Sequence, residues 1–114
     1  ARGRRTLADL RPTAPGTEIE LVPGAVRPFW HANAGDRMLY ETASRIAAEL
    51  GFDLPGETSG GGSDGNFTGA MGIPTLDGLG PRGDLLHTRD EHIVVDSLAE
   101  RGRLLAGILM ALDA

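Results

Sequence analysis

The chain of 114 residues has the length of one ordinary domain, ordinary apolar content and a net charge of −5 at pH 7, which argues against disorder and against a nucleic-acid-binding face. No stretch reaches the roughly eighteen apolar residues of a membrane span, and no leader with a basic start and apolar middle stands out, so a cytoplasmic protein with no membrane partner is expected. The absence of cysteine removes disulfides, thiolate ligands and thiol nucleophiles together, so that any metal must be held by histidine and carboxylate.

In chain order, Leu7 and Leu10 read as the end of a helix that Pro12 and Pro15-Gly16 stop. Thr17, Ile19 and Leu21 alternate with Glu18 and Glu20, the period of a strand with one wet face. Pro23-Gly24 and Arg27-Pro28 then open a linker to about Ala34, in which Phe29-Trp30 reads as a packing plug in preference to a hinge anchor. From Asp36 to Leu50 the apolar positions Leu39, Ala43, Ile46, Ala47 and Leu50 form the stripe of an amphipathic helix, closed by Gly51. A short strand over Glu57 to Gly60 leads into Ser59-Gly60-Gly61-Gly62-Ser63-Asp64-Gly65, where Ser63 or Asp64 offers an N-cap for a short helix that Gly72 and Pro74 end.

Gly72 to Asp77 reads as a brief strand, and Leu85 to His87 and Ile93 to Val95 as extended segments with Asp90-Glu91 turning between them. Ser97 and Glu100 have the spacing of a capping box, and Leu98, Leu104, Leu105, Ile108, Leu109 and Leu112 make the apolar stripe of a last helix. Two helices flanking short strands and a glycine turn are the makeup of an open α/β layer. The opening helix and strand look like the tail of a different unit.

The glycine turn is the first candidate for chemistry. Its backbone can approach a ligand closely, and a turn that feeds a helix N-terminus presents N–H groups to an anion or carboxylate; the alternative is a tight turn that binds nothing. Of the histidines His31, His87 and His92, the last two are five apart and would lie on opposite faces of a strand, so a self-contained metal centre is not expected. His87 is either a ligand or a hydrogen-bonded structural residue. Asp90 and Glu91 either orient its ring through the second nitrogen or simply form a solvated turn.

Three stretches, Ser59-Gly60-Gly61-Gly62-Ser63-Asp64-Gly65-Asn66-Phe67, Gly72-Ile73-Pro74-Thr75-Leu76-Asp77-Gly78-Leu79-Gly80 and His87-Thr88-Arg89-Asp90-Glu91-His92, together resemble the end of the zinc-dependent exopeptidases of the glutamate carboxypeptidase, aminoacylase and succinyl-diaminopimelate desuccinylase family. The resemblance runs through the whole chain. It implies an α/β fold, the C-terminal half of a zinc-exopeptidase-type open sheet with flanking helices, preceded by the last helix and strand of an α+β lid domain. On that reading residues 1–28 end the lid and dimerisation domain, 29–35 are linker, and 36–114 are the returning half of the catalytic domain.

The resemblance further implies that His87 is a ligand to one of two zinc ions and that Gly61, Gly62 and Ser63 form the loop beside the substrate. Asp64 is then a cap or loop brace, while Asp90 and Glu91 support the histidine. The family's His-x-Asp motif and its paired glutamates are not found in this sequence, so the catalytic base and the remaining metal ligands would come from a missing N-terminal half of the same protein. The implied partners are a small peptide or N-acyl amino-acid substrate and a second copy in a homodimer, and the 114 residues alone are expected to be inactive. Two other readings stand beside this one: a non-catalytic carboxylate-binding or dimerisation module, and a degenerate truncated product.

Overall fold

The computed structural model describes Leu7 and residues 9–112. Its best-built element is α1, Ala34–Glu49, because both ends are closed by side chain or glycine. The Asn33 side chain accepts the N–H groups of Gly35 (2.7 Å) and Asp36 (3.1 Å), while the Asp36 carboxylate accepts the Asn33 N–H (2.8 Å). This reciprocal arrangement satisfies donors that a helix start otherwise leaves open. At the far end Gly51 takes φ +89°. It donates to Ala48 while Phe52 donates back to Ala47, the paired bonds of a Schellman ending. The short helix α2, Gly65–Ala70, ends the same way, with Gly72 at φ +79° and Ile73 donating to Thr68.

The strands are β1, Gly83–Asp84, and β2, His92–Ile93. They pair antiparallel, Gly83 opposite Ile93 and Asp84 opposite His92. A side chain at Gly83 would run into the His92 carbonyl, so this approach depends on glycine. The last helix, α3, covers Asp96–Leu112. Ile46 of α1 lies against Gly107 of α3, and Phe52, just past α1, lies under the Arg101 guanidinium; the two helices therefore run antiparallel.

The core is the seam between them. Ala43, Ile46 and Ala47 meet Leu104 and Ile108, with Phe52, Leu54, Leu76 and Leu79 packed around. A Cβ on Gly107 would come within 2.8 Å of Ile46 Cγ2, so a small residue there sets how close the helices lie. The seam is narrow. Leu98, Leu105, Leu109 and Leu112 of the expected α3 stripe are about half exposed, because α1 covers one face of α3 and a helix contact buries only one stripe. The radius of gyration, 19.8 Å, exceeds the about 13 Å of a compact domain of this length.

Several expected strands do not form. Residues 17–21 take no strand pairing, and Ile19 and Leu21 are each 49 % exposed. Alternation creates a strand only where a second strand accepts its ladder, and among the described residues none lies beside it. The helix expected before Pro12 falls mostly outside the described residues. Glu57 to Gly60 and Gly72 to Asp77 are irregular, the Thr75 N–H being taken by the Asp36 carboxylate (2.7 Å) instead of a neighbouring strand. Leu85 to His87 form a turn with positive φ at Leu85 and His87. Among the described residues the fold is a mix of helices and one small two-stranded sheet, and the larger open sheet expected from the sequence is not seen there.

Ser97 and Glu100 do not cap α3. The helix begins at Asp96, and the fully buried Ser97 donates its hydroxyl to the Val94 carbonyl while accepting the Arg82 N–H (2.8 Å). Glu100 lies 3.5 Å from the Arg82 guanidinium. Both residues tie the hairpin to the helix. No helix among the described residues is long and apolar enough to cross a membrane.

Candidate functional site

The glycine turn is braced by its own polar side chains. Gly61 donates its N–H to Ser59 Oγ (3.0 Å), Ser63 to Asn66 Oδ1 (2.8 Å), and Gly65 to Ser63 Oγ (3.0 Å). Asn66 in turn donates to the Pro28 carbonyl (2.9 Å), which fastens the turn to the preceding linker. Of the Gly61, Gly62 and Ser63 amides, only that of Gly62 is unengaged, so the turn presents fewer N–H groups than its sequence suggests. Asp64 makes no capping bond to α2. Its carboxylate, 97 % exposed, faces Arg27 Nη1 at 3.3 Å.

Arg27 is the residue that sequence reasoning missed. Its guanidinium lies 5.4 Å from the centre of the Phe67 ring, a cation–π contact. A Cβ placed on Gly62 would come within 2.9 Å of Arg27 Cδ, so glycine is what lets the arginine lie along the turn. The result is a half-exposed cation beside the unengaged Gly62 N–H, within a framework of short polar bonds. An Arg-Pro pair in a linker carries no local signal of such a place, since a contact across thirty-seven positions leaves no periodicity to read.

A second group holds this arrangement in place. Trp30 packs its indole against Gly69 of α2, where any side chain would collide with the ring. Its Nε1–H donates to Asp36 Oδ2 (2.9 Å). Asp36, 4 % exposed, also accepts the N–H groups of Asn33 (2.8 Å) and Thr75 (2.7 Å). Thr75 continues the chain through its hydroxyl to Thr68 on α2 (2.9 Å). Burial alone would raise the Asp36 pKa. The bonds from Asn33, Thr75 and Trp30 and the nearby Arg37 charge outweigh it and hold the carboxyl below its ordinary value. One carboxylate thus joins the linker, α1 and the segment after α2. Trp30 is the plug of the Phe29-Trp30 pair, since Phe29 is 90 % exposed.

His87 sits in the turn between β1 and β2, exposed, at φ +67°. Its backbone N–H donates to Glu91 Oε2 (3.2 Å), and its ring has no hydrogen bond. Around it Leu85 donates to Asp84 Oδ1 (2.7 Å), Thr88 Oγ donates to the Leu85 carbonyl (2.7 Å), and Asp90 donates to Thr88 Oγ (3.2 Å). The acidic pair therefore does not orient the His87 ring. Glu91 holds the backbone of His87, and the Asp90 carbonyl meets Nδ1 of His92 (2.9 Å). No three His, Asp or Glu side chains converge among the described residues. A metal ion held by protein side chains alone needs three or four such donors.

Residues 10–111 match the family profile described as Peptidase family M20/M25/M40. The chain is similar to uncharacterized protein YqjE of Bacillus subtilis, at 30 % identity over 94 residues, covering 82 % of this chain and 25 % of that protein. It is also similar to a succinyl-diaminopimelate desuccinylase of Pseudoalteromonas atlantica, at 32 % identity over 78 residues, 68 % of this chain and 20 % of that protein. The chain thus spans a quarter or less of the length of these relatives. No solved structure matches it significantly.

Proposed function

The chain belongs to Peptidase family M20/M25/M40, and on that footing we propose that it supplies the C-terminal part of a metal-dependent hydrolase that cleaves a peptide or amide bond next to a free carboxylate. The match over residues 10–111 is the observation that carries the reading. The similarity to a desuccinylase supports amide hydrolysis. Zinc is the metal we propose for the complete protein, two ions, with His87 giving one ligand; bound there, it would activate water for attack on the amide carbonyl. The general base and the other ligands would come from outside these residues.

What this chain does in that reading is to bind. Arg27 and the Gly62 N–H would receive the substrate carboxylate at the glycine turn, a charge-assisted contact with a planar guanidinium. Asp64 occupies Arg27 now, but an exposed pair of this kind is worth only about 0–1 kcal/mol and gives way readily to a better-placed anion. Asp64, Asp90 and Glu91 brace the two loops without touching substrate. The substrate class is a small peptide or N-acyl amino acid, and residues 1–28 would belong to the lid and dimer contact.

The test uses the 114 residues with added zinc and a panel of dipeptides and N-acyl amino acids. No turnover is expected from the chain alone; turnover that His87→Ala abolishes would overturn the division of labour. Joined to the polypeptide that precedes Ala1, the chain should hydrolyse at least one of these amides, and His87→Ala should remove that activity. Tight binding of a carboxylate ligand by the chain alone, with no hydrolysis by the joined protein, would favour the non-catalytic module that the position of Arg27 also supports.

A further inference from the structure

The hairpin loop from Leu85 to Glu91 carries two non-glycine residues in the left-handed region, Leu85 at φ +58° and His87 at φ +67°. A bulky side chain is rarely found there, since its Cβ crowds the following carbonyl. Such a conformation persists only where surrounding contacts over-determine it. Asp84 accepts the Leu85 N–H, Thr88 donates to the Leu85 carbonyl through both its hydroxyl and its backbone N–H, and Asp90 donates to the Thr88 hydroxyl. Leu85 is therefore held from two sides by its neighbours.

His87 itself is held by one bond only, its N–H to Glu91 Oε2 at 3.2 Å. Glu91 is anchored in turn by its own N–H to the Thr88 carbonyl (3.4 Å) and by its place immediately before β2, Glu91 preceding His92. The two histidines of the hairpin then differ in kind. The His92 ring is engaged with the Asp90 carbonyl, whereas the exposed His87 ring makes no hydrogen bond, and the backbone conformation sets where its Cα–Cβ bond leaves the loop.

We propose that Glu91 is a positioning residue: its carboxylate fixes His87 in the left-handed conformation through the backbone N–H, and so aims an unengaged imidazole out of the hairpin. The carboxylate works on the main chain and leaves the imidazole nitrogens alone. This deepens the reading of His87 as a ligand and rests on it for its purpose, although the conformational claim stands by itself. A glutamine at position 91 keeps an acceptor oxygen at the same reach and preserves the geometry. An alanine removes it and frees His87 to relax to negative φ.

The experiment is NMR on the full 114-residue chain, reading the intraresidue amide-to-α-proton NOE of residue 87, which is strong at positive φ and weak at negative φ. The wild type and Glu91→Gln should show the strong cross-peak, Glu91→Ala should lose it, and Leu85 should keep its own in all three. Glu91 is exposed, so the variants should fold as the wild type does, which the Trp30 indole resonance and the α1 and α3 amide shifts verify. A strong residue-87 cross-peak in Glu91→Ala, or its loss in Glu91→Gln, would overturn the proposal. If the cross-peak behaves as stated while His87→Ala leaves the joined protein active, the positioning stands and the ligand reading falls.

Discussion

Replacing Asp36 by alanine should be among the most damaging single changes in the molecule. The carboxylate is 4 % exposed and accepts three N–H groups at 2.7, 2.8 and 2.9 Å, from Thr75, Asn33 and Trp30. Removing it leaves three part-buried donors without an acceptor, at about 1–3 kcal/mol each. Water can reach some of them, so a total of roughly 3–5 kcal/mol is expected. Small domains have only about 5–15 kcal/mol of stability, and among the described residues five apolar side chains form the buried core.

Asp36→Asn should fall between, since the amide keeps one oxygen and turns an NH2 group toward donors. Urea unfolding followed by Trp30 fluorescence and by helical circular dichroism measures this, and Trp30 is the chain's one tryptophan. A loss under about 1 kcal/mol for Asp36→Ala would refute the view that this carboxylate joins the segments, because that is the worth of a single ordinary hydrogen bond. The pH dependence gives a second check. The folded-state pKa of Asp36 is lowered, so its contribution is full above the unfolded-state value of about 3.9 and is lost as pH falls through the folded value. Wild-type stability should therefore drop on acidification more steeply than that of Asp36→Asn.

Three further outcomes are expected. Gly69→Ala sets a methyl against the Trp30 indole and should cost about 1–3 kcal/mol by overpacking, with a shift in Trp30 emission. Leu104→Ala, at a fully buried position of the helix seam, should cost about 2–5 kcal/mol in a denaturant melt. Arg27→Ala should change stability by less than about 1 kcal/mol, since its pair with Asp64 is exposed. The same change should weaken calorimetric binding of an N-acyl amino acid about tenfold or more, the worth of a charge-assisted bond near 1.5 kcal/mol.

The helices were legible because their signals are local. The α1 stripe and the Gly51 stop, the glycine-ended α2 and the apolar run of α3 each lie within one element, and each element formed. The Ser97 and Glu100 spacing misled because a capping box is also two polar residues that another segment can claim, and Arg82 claims both. Alternation over residues 17–21 misled for a related reason: a strand is defined by its neighbour, and none of the described residues supplies one. The N-cap at Asn33 had a sequence signal, an Asn three residues before Asp36 at the start of an apolar stripe, but the pattern differs from the usual Ser/Thr and Glu/Gln pair.

By itself the sequence determined where the chain turns and where it coils. It also determined the order of the three motifs, and through them the family resemblance, because glycine positions and apolar spacing act within a few residues. Tertiary structure alone decided that Arg27 lies along the glycine turn, that Asp36 serves three distant donors, and that Glu91 grips the main chain of His87 and leaves its ring free. Those are matters of which polar group reaches which across folded space, and a hydrogen bond is settled by distance and angle that no spacing along the chain encodes.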